Sequence, residues 1–120
     1  MSQFDNLVVT TRLSIIDNDN HDEATHEGTL GKGVVTLLQG IVDYGSLNQA
    51  AKRIGMAYSK AWRIVKETEK GFGFLLINRD GARGSTLTQE GEQLLEIYRS
   101  LEQETRDYAN KRFREMTASL

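Results

Sequence analysis

The chain has 120 residues, 38% hydrophobic and 27% charged, with a formal net charge of -2 and no cysteine. That composition suits one modest globular core and excludes a chain disordered throughout, a disulfide framework, a thiolate metal site and a cysteine nucleophile. The start "MSQFDNLVV" lacks the flank and apolar core of a secretory signal, and no window reaches the roughly 18 apolar residues of a membrane span, so a cytoplasmic protein without membrane attachment is expected.

In chain order, residues 7 to 17, "LVVTTRLSIID", are rich in β-branched side chains and place Leu7, Val9, Leu13 and Ile15 on one side at period two, which predicts a strand. The polar, acidic stretch that follows reads as a loop over residues 17–28. Its Asp17, Asp19, His21, Asp22 and His26 raise the question of a metal. A calcium loop, however, requires glycine at its sixth position and glutamate at its twelfth, where this chain has Asp22 and Gly28. The two histidines stand five apart, off the spacing that sets a zinc-binding pair on one helix face. A solvated, mobile turn is expected, with no metal and no cofactor.

From Gly33 the period changes to that of a helix. Val34, Val35, Leu37, Leu38, Ile41 and Val42 form an apolar stripe that ends at Gly45. Ser46, with Gln49 three residues later, is a capping-box start for a second helix at Leu47, whose Ala50, Ala51 and Ile54 make a close-packing face. Gly55 can take the left-handed conformation that reverses the chain. A third helix then runs from near Ala57 to about Lys70. At about 100° per residue, Ala61, Ile64, Val65 and Thr68 share its inner side, and Ser59, Arg63, Lys66 and Lys70 share the outer side. Lys60 lies beside that stripe, Tyr58 sits in the first turn, and Trp62 falls at the boundary between faces, where packing is expected.

Charge follows the same division. Residues 1–44 carry a net of −5, residues 45–88 a net of +5 and residues 89–120 a net of −2. A basic middle between acidic ends is the footprint of one element that faces phosphate while the rest does not, although a solvated charged helix face would look the same on charge alone. Downstream, "FGFLLINRDGARGSTLT" predicts a β-hairpin with a basic tip, Arg79 and Arg83 flanking Gly81. Thr88 caps a last helix, with Gln89 and Glu90 in its first turn. Along it, Leu94, Tyr98, Leu101, Thr105 and Tyr108 follow steps of four, three, four and three, a coiled-coil seam that Arg112 interrupts while Phe113 and Met116 shift the stripe.

Two helices joined by a tight glycine turn, the second with the basic outer face, follow the helix-turn-helix plan, and a basic hairpin after them makes it winged. The stretches "GSLNQAAKRIGMAYSKAW", "LLINRD" and "GSTLTQEGEQLL" resemble the N-terminal DNA-binding domain of the ModE regulators and, more distantly, that of LysR-type regulators. The match covers roughly residues 30 to 100. This resemblance implies a transcription regulator that binds operator DNA as a dimer through its terminal helix. ModE regulators carry oxyanion-binding domains after this segment, whereas here the sequence ends at Leu120, so direct molybdate sensing is not expected and a stand-alone form is. In such stand-alone members the N-terminal strand would pair beside the wing hairpin. The wing also departs from the family's usual glycine run, with Gly81 and Gly84 alone.

The fold class expected is therefore mainly α with a small β-sheet, a winged helix-turn-helix with a long C-terminal dimerisation helix. Residues 1–88 would form the DNA-binding domain and residues 89–120 the dimerisation helix. Tyr58, Ser59, Lys60, Arg63, Lys66 and Lys70 on recognition helix 57–70, with Arg79 and Arg83 on wing 78–86, would meet double-stranded DNA. Leu94, Tyr98, Leu101, Thr105 and Tyr108 would join two copies over a near-palindromic operator. The alternative is a protein-interaction module on a winged-helix scaffold, which an apolar outer face on the third helix would favour. An enzyme is not expected, since the only histidines lie in the polar loop with no cysteine to assist them.

Overall fold

The computed structural model describes residues 3–79 and 84–120. Short strands β1 (Ile15–Ile16) and β2 (Thr29–Leu30) precede three helices, α1 (Lys32–Tyr44), α2 (Leu47–Arg53) and α3 (Tyr58–Phe72). Strands β3 (Ile77–Arg79) and β4 (Ser85–Leu87) and the long helix α4 (Gln89–Ala118) follow. The architecture is a winged helix-turn-helix, mainly α with small antiparallel sheets, extended by α4.

α1 forms the centre because its stripe is apolar nearly throughout, and Leu37 and Leu38 are fully buried against Leu47, Ala61, Val65 and Leu76. Val42 departs from the expected stripe. It is 58% exposed, because the last turn of α1 runs past the edge of the core. The start of α2 is fixed by Ser46, whose Oγ accepts the Gln49 N–H at 3.1 Å, a cap that contributes about 1 kcal/mol. Ala50 and Ala51 are buried as expected, but Ile54 is 45% exposed, since it leaves the helix at the C-cap and turns outward. Gly55 makes the turn to α3 at φ +70°, a conformation that a side chain would oppose. On α3 the inner side of Ala61, Ile64, Val65 and Thr68 is buried, as its spacing requires.

The N-terminal segment is the main departure. Its β-branched residues predict a strand over residues 7 to 17, yet only Ile15 and Ile16 pair, and they pair with β2 in register Ile15↔Leu30 and Ile16↔Thr29. β2 can offer no more, since the chain turns into α1 at Lys32. The wing is a separate sheet, β3 with β4, so the N-terminal strand does not pair beside it. Residues upstream instead run along α4: Asn110 donates from Nδ2 to the Val9 carbonyl at 3.0 Å and accepts the Val9 N–H at 2.8 Å. Phe4 and Leu7 lie beside Phe113 and Thr117.

The 17–28 loop is held rather than free. Asp17 N–H donates to the Gly28 carbonyl at 2.9 Å to close it, and its carboxylate accepts from the Asp19 and Asn20 amides. Gly28 N–H donates to the Glu67 carbonyl at 3.1 Å, and Gly71 meets the Gly28 backbone so closely that an added Cβ would fall 2.2 Å from its nitrogen. The loop is thus docked on the C-terminal half of α3.

α4 begins inside the core. Thr88 Oγ1 accepts the Gly91 N–H at 3.0 Å and donates to the Leu75 carbonyl at 2.7 Å, which ties the helix start to the chain just before β3. Leu95 and Tyr98 are buried in the same cluster as α1 and α3. Tyr98 is therefore not a seam residue. It is 1% exposed, and its hydroxyl donates to the Leu13 carbonyl at 2.7 Å. Burial, and then the Glu102 carboxylate, raise that phenol above its ordinary pKa of 10.0 and keep it protonated as a donor.

Candidate nucleic-acid interface

Because the core fixes the inner side of α3, the direction of its outer side is fixed too. Ser59, Arg63, Lys66 and Lys70 are exposed and, with Trp62, Glu67 and Arg79, line one open groove. A second groove, continuous with it through Trp62 and Arg79, is lined by Ser46, Asn48, Tyr58, Gly84 and Ser85. Helix-turn-helix and wing thus meet around the indole. The wing is registered to the turn by backbone: Ser85 N–H donates to the Gly45 carbonyl at 3.2 Å.

Trp62 does more than the packing its position suggests. It is half-buried against the core, but Tyr58 stacks on it at 6.1 Å between centroids, the Arg79 guanidinium lies 4.3 Å from its ring centre and Lys66 Nζ lies 5.8 Å away. It is the chain's single tryptophan, and it joins both grooves.

Of the sequence-expected residues, the structure brings Ser59, Arg63, Lys66, Lys70 and Arg79 together in the first groove and Tyr58 with Arg79 in the second. Lys60 is exposed but lines neither. Arg83 lies outside the described residues. Two acids that the sequence reading passed over are part of the arrangement. Glu67 faces Arg63 at 3.7 Å, one helical turn away, and accepts the His26 N–H at 3.1 Å. Glu69 faces Arg79 at 3.7 Å. Their spacing on α3 was visible in the sequence, at i+4 from Arg63 and i+7 from Trp62, but only the wing's position gives Glu69 its partner.

The residues expected to join two copies divide. Tyr98 belongs to the core, and Leu94 is half-buried against it. Leu101 and Tyr108 are exposed, as is Thr105, whose hydroxyl donates back to the Leu101 carbonyl at 2.7 Å. Ile97 joins them at 48% exposure, one turn before Leu101, a residue the seam spacing missed. The exposed stripe is displaced from the expected one by the loss of Tyr98 and the gain of Ile97, and it lies on the side of α4 away from Asn110.

Comparison with known proteins agrees with this geometry. Residues 35–92 match the family described as bacterial regulatory helix-turn-helix protein, lysR family. The chain is 33% identical over 73 residues to the DNA-binding transcriptional dual regulator ModE of Escherichia coli (strain K12), a stretch covering 58% of this chain and 28% of that protein. It is 32% identical over 68 residues to the transcriptional regulator ModE of Yersinia pestis, covering 53% and 26% of the two. Over 59 residues it is 41% identical to the HTH-type transcriptional regulator CrgA of Neisseria meningitidis serogroup C (strain 8013), covering 49% and 19%. The chain thus spans less than a third of the length of these relatives.

Proposed function

We propose that the chain, whose residues 35–92 match the bacterial regulatory helix-turn-helix family of lysR type, is a DNA-binding transcriptional regulator working in the cytoplasm, a binder rather than a catalyst. The observation that carries this reading is the continuity of positive charge from the outer side of α3 across Trp62 to Arg79 on the wing. α3 enters a major groove with Ser59 and Arg63 toward base edges. Lys66 and Lys70, nearer its C-terminal end, meet phosphates, and the wing strand lies against the adjoining backbone.

The same reading makes the protein a homodimer. α4 spans about 45 Å and overruns the winged core, and Ile97, Leu101 and Tyr108 stand exposed on one side of it. Pairing two such helices sets two recognition helices one turn of DNA apart, roughly 34 Å, over a near-palindromic operator. A protein-interaction role on the same scaffold is less favoured, because the outer side of α3 is polar and basic.

Selection of bound sequences from random duplex DNA tests the reading, with a two-fold-related motif as the expected product. On that motif Arg63→Ala should cost about 1–3 kcal/mol and relax preference at one position. Loss of Lys66 and Lys70 should weaken all sequences about equally and flatten the salt dependence. Recovery of no enriched sequence and no salt-dependent binding would sink the proposal.

A further inference from the structure

Trp62 and Glu69 stand seven residues apart on α3, two turns along the same side, and Arg79 of β3 lies against both. The Glu69 side chain is 5% exposed. One carboxylate oxygen, Oε2, accepts the N–H groups of Leu76 and Ile77 at 2.8 and 3.3 Å. The other, Oε1, faces Arg79 Nη2 at 3.7 Å. The guanidinium in turn covers the Trp62 ring at 4.3 Å, and 45% of the Arg79 side chain still faces solvent.

A planar cation held between a ring face and a carboxylate has given up most of its rotamer freedom before any partner arrives, while its outward N–H groups remain available. The ring and the carboxylate belong to the helix, and the cation belongs to the wing. The trio therefore fixes the wing cation relative to the groove-lining side of α3. The Leu76 and Ile77 amides account for the stabilising role of Glu69, but stability is a poor account of its pairing with Arg79, since an ion pair to a half-exposed arginine contributes little.

We propose that Glu69 is a positioning residue for DNA recognition: it holds the Arg79 guanidinium flat on Trp62, set to meet a backbone phosphate when α3 is seated in its groove. The inference rests on the DNA-binding reading above and adds a dependence of specificity on a side chain that touches no DNA. A cation fixed in place meets its phosphate only when the helix is in register, so its placement favours the operator over arbitrary duplex. A loose arginine serves both alike.

The test uses the full chain, the duplex selected by the wild type and a scrambled duplex of equal composition. Glu69→Gln keeps an oxygen for the Leu76 and Ile77 amides but removes the charge. It should weaken operator binding about three- to tenfold and leave scrambled-duplex binding equal or slightly tighter, since one negative charge is gone. Emission from Trp62 should move toward that of Arg79→Ala, and Glu69→Gln should add no further loss in the Arg79→Ala background. Should Glu69→Gln fail to fold, Arg79→Lys, which keeps the charge and loses the plane, should show the same fall in specificity. Operator affinity unchanged in Glu69→Gln would overturn the inference, as would a full effect persisting without Arg79. If the wild type bound no duplex at all, the DNA-binding reading would fall and this inference with it, a result seen before any variant is compared.

Discussion

α3 buries Ala61, Ile64, Val65, Thr68, Glu69 and Gly71 along nearly its whole length, whereas α4, twice as long at 30 residues, buries Gly91, Leu95 and Tyr98, all within its first ten. Both are amphipathic, but the core holds α3 from end to end and holds α4 at one end. The outer side of α3 consequently has one direction, which is what a helix reading a groove requires. Beyond Tyr98, α4 is held by a weaker set of contacts: the N-terminal segment runs along one side, through Asn110, while Leu101 and Tyr108, with Ile97 a turn earlier, stand exposed on the other.

The sharpest way to break this contrast is at Tyr98, where core and overhang meet. Tyr98→Ala should cost about 3–5 kcal/mol in urea unfolding, because it empties a buried aromatic site. Were Tyr98 a seam residue, the variant would change assembly and leave unfolding of the winged core alone. Farther along, Leu101→Glu should do the reverse. Sedimentation should report a monomer and operator affinity should fall about 100-fold or more with the loss of the second, intramolecular contact, while urea stability of the core stays within about 0.5 kcal/mol. A mutant that stays dimeric would place the interface elsewhere, and a wild type that is monomeric at micromolar concentration would end the dimer proposal.

A smaller effect is expected where the N-terminal segment meets α4. Asn110→Ala removes both bonds to Val9, costing about 1–2 kcal/mol locally, and should speed hydrogen exchange at the Val9 amide without touching amides of α1. Smallest is the alkaline limb at Tyr98. Its phenol is raised above 10.0 by burial and by Glu102, so the stability linked to its protonated form is complete below about pH 10 and is lost as pH rises through the higher folded value. The margin of wild type over Tyr98→Phe should hold steady to about pH 10 and narrow beyond it; a constant margin would mean that the phenol titrates alike folded and unfolded.

Local rules carried the sequence reading furthest where structure is local. Ser46 caps α2, Gly55 makes the turn, and the inner phase of α3 follows its spacing residue by residue. Val42 and Ile54 fit the same periodicity and are exposed all the same, because periodicity says which side a residue is on and not where the neighbouring element stops. The N-terminal strand failed for a related reason: β-branched composition favours extended chain, and a ladder also needs a partner, which β2 supplies for two residues. Trp62 and Glu69 were legible as helix positions, but their meeting through Arg79 depends on where the wing folds back. The displacement of the α4 stripe depends on Tyr98 being claimed by Leu13, 85 residues away.

The Val9–Asn110 pair closes a span of 101 residues, and during synthesis its two halves leave the ribosome far apart in time. At about 5–20 residues per second, Val9 emerges about 5–20 s before the amide that will hold it. Through that interval Leu7 and Val8, still 52% and 67% exposed in the finished fold, have no native place to go, while α1, α2 and α3 can already assemble. The N-terminal segment therefore cannot dock until most of α4 has emerged, and a chaperone that shields extended apolar chain has its opportunity there, before the terminal helix is complete.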